Sequence, residues 1–366
     1  MSRELVVGTH VINDDSPAYV IAEIGHNHQG SMKTARELFE QAAACGAAAV
    51  KLQKRDNFTL YTKAMYERPY DNENSFGATY GEHREFLEFG RDEYVALQAI
   101  AAGLKVDFFA TAFDIPSADF LEEIGTPAYK IASGDLRSIP LLRYVARFGK
   151  PMFVSTGGST LDDVKRAYDT IMPLNRQLCL MQCTAGYPAE FSELDLRVIG
   201  TFRDLFPDIV IGFSSHDNGI AMAVAAHVLG ARVIEKHFTL NRAMKGTDHK
   251  FSLEPVGMRK MVRDLRRTAV ALGDGQKKVY ASEVDPICKM SKKLVAARDL
   301  HEGHVLVADD FSFKSPGDGV PLYEMDCMIG RALKVHVRAD DGIQLDMLTD
   351  PVATAGRAVR GGSGDE

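Results

Sequence analysis

One unit recurs along most of this chain: a short apolar run ending in polar residues, then a stretch of helical character. The runs fall at 19–24 (YVIAEI), 48–53 (AAVKLQ), 106–111 (VDFFAT), 128–133 (AYKIAS), 151–156 (PMFVST), 178–184 (LCLMQCT), 209–214 (IVIGFS) and 232–237 (RVIEKH). Near-continuous apolar strands alternating with helices imply a parallel sheet covered on both faces. Eight such units in roughly 250 residues predict a (β/α)8 barrel. The rival is a doubly wound open sheet. It would normally show a glycine-rich turn after its first strand, and AEIGHNHQG lacks the GxGxxG spacing.

Helices are expected at 31–44, with Ser31 as N-cap and a stop at Gly46, and at 91–102, 116–124, 162–171, 194–206, 219–229 and 254–272. The last carries basic residues on one face, which reads as solvated surface. The barrel is expected to occupy 1–272. Residues 273–290 (with GDGQKKVYASEVDP) read as a linker, and 291–350, rich in short strands and turns, as a small β-rich second domain. Residues 351–366, with AGRAVRGGSGDE, read as a disordered tail. One loop breaks the rhythm. Residues 55–89 follow the second strand and are rich in Tyr, Asn, His and Arg; a lid or substrate loop is expected, with an oligomer contact as the alternative.

Composition narrows the function. The net charge of −7 and the absence of a Lys/Arg block argue against nucleic acid as the main partner. Cys45, Cys179, Cys183, Cys288 and Cys327 are scattered and odd in number, which fits a reducing compartment. The start MSRELVVGTH has no apolar leader core, and no apolar run approaches ~20 residues, so a cytoplasmic protein without a membrane partner is expected.

The carboxyl ends of barrel strands converge on one mouth. Here they carry Glu23, Lys51, Gln53, Thr111, Lys130, Ser133, Ser155, Thr184, Ser214, His216, Glu235 and His237. Two lysines among hydroxyls suit a phosphorylated anion. His216 and His237, at the ends of neighbouring strands, suit a divalent metal that polarises a carbonyl. Histidines bonded to backbone are the alternative. Glu23 suits proton transfer or the anchoring of a hydroxyl. These residues describe a metal-assisted enzyme acting on a phosphorylated small molecule and a polyol. A Schiff-base aldolase using Lys51 or Lys130 fits the same set.

The motifs IAEIGHNHQG, VKLQ, YKIASGD, CTAGYPA, IGFSSHDNG, IEKHFTL and KGTDH, in this order and spacing, resemble the sialic acid synthase family over about residues 15–350. The C-terminal part resembles that family's antifreeze-like domain. The resemblance implies condensation of phosphoenolpyruvate with an N-acyl hexosamine such as N-acetylmannosamine and water, giving a nonulosonic acid and phosphate. It implies a divalent metal on His216 and His237, typically manganese, with magnesium or cobalt as alternatives. It places phosphoenolpyruvate on Lys51, Thr111, Lys130, Ser133, Ser155, Thr184 and Ser214, and the sugar on Gln53, Asn74, Tyr187 and Asp248, with Glu23 beside it. It also implies a domain-exchanged homodimer.

Two positions depart from the family pattern. Ser315, in Lys314-Ser315-Pro316-Gly317, stands where bacterial members usually carry an Arg that reaches the acyl group, and Thr184-Ala185 stands where an Asn is common. ERPY followed by TYGEHREFLEF resembles the animal branch, whose acceptor is a 6-phosphate. Arg68, His83 or Arg84 would then be phosphate contacts, and the product a 9-phosphate. A non-acylated acceptor giving a Kdn-type product is a further alternative. Outside this reaction stand another phosphoenolpyruvate-using barrel making a seven- or eight-carbon acid and a non-catalytic sugar-binding protein on a synthase fold.

Overall fold

The computed structural model describes residues 3–350; the tail expected at 351–366 lies outside them. The chain divides into two compact units, one up to Asp274 and the other from Gly275. Among the described residues no helix is long and apolar enough to cross a membrane.

The first unit is the closed barrel expected from the eight repeats. Before it comes an antiparallel hairpin of β1 (Glu4–Val7) and β2 (His10–Asn13). The barrel strands are β3 (Tyr19–Gly25), β4 (Ala49–Lys54), β5 (Asp107–Ala112), β6 (Tyr129–Ile131), β7 (Met152–Ser155), β8 (Leu178–Cys183), β9 (Val210–Ser215) and β10 (Val233–His237). They pair in parallel in chain order, and β10 closes on β3. Burial explains why these runs are apolar on both faces. Val20, Val50, Leu180 and Ile234 point outward into a core shared with the helices. Tyr19, Ile21, Phe109, Phe153, Met181 and Val233 fill the interior.

The expected helices are present with shifted ends. Met32–Ala44 starts at the Ser31 cap, and Arg91–Leu104, Ile115–Glu123, Leu161–Ile171, Ala221–Val228 and Pro255–Leu272 follow. The helix expected from 194 begins only at Val198, after a 3-10 turn at Phe191–Glu193 and Asp195 at φ +39°. Ile139–Ala146 was not anticipated; its Pro140 sits in the first turn, where a missing N–H costs nothing.

The hairpin was also not anticipated. Leu5, Val7 and Ile12 pack against the interior residues, sealing the barrel at the amino ends of its strands. The seal includes polar groups: Asp107 accepts from the Tyr19 hydroxyl at 2.8 Å and lies 2.9 Å from His10 Nδ1.

The second unit has its own core of Leu294, Ala296, Leu300, Leu306, Phe311, Met328, Leu333, Val337, Ile343 and Leu348. β11 (Lys293–Ala296) pairs antiparallel with β12 (Phe311–Lys314). A ten-residue helix, Ala281–Met290, occupies part of the stretch that read as a linker. Its start is encoded in Tyr280-Ala281-Ser282-Glu283, where Glu283 accepts from the Tyr280 N–H at 2.8 Å.

Candidate active site

The carboxyl ends of the barrel strands open into a cavity of about 840 Å³. Of the sequence-predicted residues, Glu23, Lys51, Gln53, Thr111, Lys130, Ser133, Ser155, Tyr187, Ser214, His216, His237 and Asp248 line it. Parallel register makes this happen. Glu23 is level with Lys51 on the next strand, and with His237 on the strand before. A bulge at the end of β3 turns the chain at Gly25, whose φ is +53°. A Cβ there would lie 3.1 Å from both Gln53 Nε2 and Glu23 Oε1, so glycine lets these side chains meet.

Four charges meet at the cavity floor. Lys51 Nζ lies 2.6 Å from Glu23 and 3.6 Å from Glu235, and Lys130 Nζ lies 4.0 Å from Glu235. All four side chains are nearly inaccessible. Lys51 also donates to Thr111 (2.9 Å), and Lys130 to Ser155 (2.6 Å) and the Ile131 carbonyl (3.0 Å). The two carboxylates are pushed apart. Burial lifts Glu23 above the ordinary carboxylate range, more than Lys51 draws it down. Burial also raises Glu235, but Lys130 and Lys51 outweigh it and hold Glu235 low. One oxygen of Glu235 is buried without a hydrogen-bond partner. A pair divided in this way suits one proton-carrying group and one fixed anion.

His216 and His237 converge with ring centroids 5.3 Å apart. Burial drives His216 down to about 3, helped by His237, and His237 down to about 4. Both are therefore neutral, the form that ligates a metal. His216 donates from Nδ1 to the Thr184 carbonyl at 2.9 Å, which leaves its other nitrogen with the lone pair. His237 Nδ1 is buried without a hydrogen bond, 3.7 Å from Asp248. This donor set fits a divalent cation. Among the described residues no group of three or more His, Cys, Asp or Glu forms a metal cage, so water or substrate would complete the coordination.

Three predicted residues stand elsewhere. Thr184 turns its hydroxyl to the Glu193 carbonyl (2.8 Å) and meets the site only through its own carbonyl. Asn74 accepts from the Gly246 N–H at 2.9 Å, tying the 55–89 loop to the loop that carries Asp248. Ser315 belongs to the second unit, with its hydroxyl 3.5 Å from the Met290 carbonyl. The cavity wall also includes Glu235, expected at the mouth without an assigned role, and His26, Arg55 and Cys183, which were not among the expected site residues. Glu235 was visible as a strand-end carboxylate. His26 and Arg55 immediately follow β3 and β4 and gave no separate signal. Of the expected phosphate contacts, His83 and Arg84 line the cavity, whereas Arg68 is exposed and does not.

Comparison with known proteins agrees with this geometry. The NeuB family model matches residues 38–277 and the SAF domain model residues 293–349. The chain is 38% identical to human N-acetylneuraminate-9-phosphate synthase over 338 residues, 92% of this chain and 94% of that protein. It is 33% identical to the N,N'-diacetyllegionaminic acid synthase of Legionella pneumophila over 327 residues, covering 88% and 92%. The crystal structure of N-acetylneuraminic acid synthetase from Leptospira borgpetersenii, in complex with citrate, superposes with a TM-score of 0.69 at 30% identity, over 78% of this chain and 96% of that one. A barrel with this mouth, joined to a SAF domain and matched over most of its length by synthases of nonulosonic acids, belongs to the NeuB family of sialic acid synthases.

Proposed function

We propose that this enzyme condenses phosphoenolpyruvate with the open-chain form of an N-acyl hexosamine and water, giving a nonulosonic acid and inorganic phosphate. The observation that carries the reading is the pair of neutral imidazoles beside the Lys51–Glu23 and Lys130–Glu235 cluster at one barrel mouth. Lys51, Lys130, Ser133, Ser155 and Ser214 bind the carboxylate and phosphate of phosphoenolpyruvate, because ammonium and hydroxyl groups donate to those oxygens. Tyr187, Gln53 and Asp248 orient the sugar. A divalent cation on His216 and His237, with manganese first and magnesium or cobalt as alternatives, would polarise the aldehyde as a Lewis acid. The enol carbon of phosphoenolpyruvate attacks that aldehyde, and positive charge develops at the carbon bearing the phosphate ester. Glu235, held ionised, faces that charge. Water adds there, and the tetrahedral adduct loses phosphate by C–O cleavage. Glu23, whose pKa burial raises, is the group that hands a proton to the new alkoxide.

A second reading draws on Lys130. Burial lowers its ammonium pKa, as Schiff-base lysines require. Its bonds to Ser155 and Ile131 favour the charged form instead. Borohydride with pyruvate separates the two: a covalent adduct on Lys130 supports the aldolase, and none is expected. The main test is phosphate release from phosphoenolpyruvate with manganese and N-acetylmannosamine, its 6-phosphate, mannose or a diacetamido-dideoxy hexose. Release should need both acceptor and metal and should vanish in His216→Ala. Release from phosphoenolpyruvate without an acceptor, or full activity of the variant in chelator, would sink the reading. A homodimer near twice the 40.2 kDa chain mass is proposed with it, to be read by light scattering.

A further inference from the structure

Two buried charges next to the paired histidines take no part in the condensation as described. Lys236 precedes His237 on β10, and Asp217 follows His216 just past the end of β9. Both are 1% exposed. Side chains alternate along a strand. Lys236 therefore points away from the cavity, on the side of Ile234, which packs in the core shared with the helices. Ser215, its partner across the ladder, shares that side with Phe213. His216 and His237 take the opposite side and line the cavity.

The contacts are directional. Lys236 Nζ lies 2.6 Å from the Asp217 carbonyl oxygen, 2.9 Å from Asp217 Oδ1 and 3.2 Å from Ser215 Oγ. An ammonium has three N–H groups, and here each has an acceptor. Ser215 Oγ in turn donates to Asp217 Oδ1. The other Asp217 oxygen is buried without a hydrogen-bond partner. Such a pair adds little net stability, because two apolar residues of similar volume would hold the strands as well or better. An apolar pair, however, would not fix the chain at one position.

The cluster acts where the sheet ladder stops. β9 and β10 pair as far as Ser215 opposite Lys236. His237 stays in the sheet on its other side, level with Glu23 of β3. His216 has left the ladder. Its ring is tied from Nδ1 to the Thr184 carbonyl, and its own carbonyl accepts from the Ala189 N–H at 3.3 Å. Lys236 grips the chain on either side of it, at Ser215 and at Asp217. Where two imidazoles are the donors, affinity for a cation depends on holding them in place before it arrives.

We propose that Lys236, Asp217 and Ser215 are positioning residues that fix His216 against His237 and so preorganise the divalent-metal site from outside the barrel wall. The proposal rests on the metal-assisted reading of the site and adds the residues that hold its ligands. None of the three lines the cavity, so none is placed to touch substrate.

The test is manganese binding by titration calorimetry to full-length enzyme stripped of metal, as wild type, Lys236→Met/Asp217→Asn and Ser215→Ala. The double variant removes both charges together, so no buried charge is left unpaired. Its Kd for manganese should rise about 10- to 100-fold, as when a group that orients a metal ligand is lost. Ser215→Ala, which removes one of the three contacts, should raise it less. In phosphate release the half-saturating manganese concentration should rise in step, while the KM for phosphoenolpyruvate at saturating manganese stays at the wild-type value. A merely structural role would reduce the amount of folded enzyme and leave the manganese Kd of the folded fraction unchanged. Wild-type manganese affinity in the folded double variant would overturn the proposal and leave the synthase reading standing. If the double variant does not fold, Ser215→Ala decides: a raised Kd supports the proposal and an unchanged one rejects it. No manganese binding by wild type would overturn the metal reading, and the positioning role with it.

Discussion

The buried side chains of the cavity floor are arranged as charges that need one another. Glu235 is the clearest case. It stands between Lys51 and Lys130, with Ser214 donating to it at 3.2 Å. Replacing it with Gln keeps the volume and strands two buried ammoniums on Glu23 alone. Glu235→Gln is expected to lower the unfolding free energy by about 3–5 kcal/mol in urea titrations, the penalty for breaking a buried charge pair. Phosphoenolpyruvate should restore part of the loss by supplying the missing negative charge. His28 tests a different property. It is stacked 4.1 Å from Phe89 and accepts from the Gly30 N–H at 3.1 Å, and burial holds its pKa down to about 3. In the unfolded chain His takes up its proton near the ordinary 6.5. The unfolded state thus binds more protons as pH falls below about 6.5, and folding stability is lost through the window down to about 3. The slope is up to about 1.4 kcal/mol per pH unit for this one group. His28→Gln should flatten the acid side of the stability curve by about that slope. Coincident slopes for variant and wild type would mean that His28 is not held neutral.

At the scale of elements, the barrel divides its work between its two ends. The amino ends of the strands are closed by the β1–β2 hairpin, with Gly8 at φ +54° in its turn; a Cβ there would meet Asp107 Oδ1 at 2.4 Å. The carboxyl ends hold the chemistry. Leu5→Ala, at a wholly buried position in the hairpin, is expected to cost about 2–5 kcal/mol of stability. It should leave the KM for phosphoenolpyruvate unchanged, because the hairpin packs at the opposite end of the strands; a changed KM would show that the ends are coupled. The 55–89 loop is built rather than slack. It contains the helices Asn57–Leu60, Lys63–Tyr66 and Tyr80–Leu87, each started by a side-chain cap at Asp56, Thr62 or Thr79. Its Asn74 bond to Gly246 ties it to a neighbouring loop, and the stacking of Phe76 on Phe86 packs it on itself. That order is what allows Arg84, near the end of its last helix, to occupy a defined place in the cavity wall.

For the molecule as a whole, the two units keep separate cores. The buried apolar clusters of the first lie between Leu5 and Leu265, and that of the second between Leu294 and Leu348. A chain ending at Asp274 is therefore expected to unfold in one cooperative thermal transition; loss of that transition would show that the barrel needs the second unit to fold. Its turnover, compared with that of the full chain, reports whether the SAF domain serves the reaction.

Much of this was legible along the chain, for a physical reason. Periodic burial writes itself into consecutive residues, so eight apolar runs ending in polar groups announced the parallel barrel. The parity of strand residues then brought Glu23, Lys51, Lys130, Ser214, His216 and His237 to one mouth. The hairpin seal was not legible, because β1 and β2 are too short to declare a partner. Nor was the helix Ile139–Ala146 expected, since Ile-Pro at its start reads equally as a loop. The basic part of the cavity wall depended on contacts between residues far apart in the chain. His26 meets Arg55 and Arg84 across 29 and 58 positions, and no local pattern encodes that meeting. The turning of Thr184 away from the cavity was decided in the same way, by a carbonyl nine residues on. Sequence by itself determined the architecture and the strand-end chemistry, because both follow from periodicity. Only the tertiary structure decided which buried charges meet, which histidine nitrogens stay unbonded, and how residues from distant loops line the cavity wall, because those depend on distances that the folded chain alone sets.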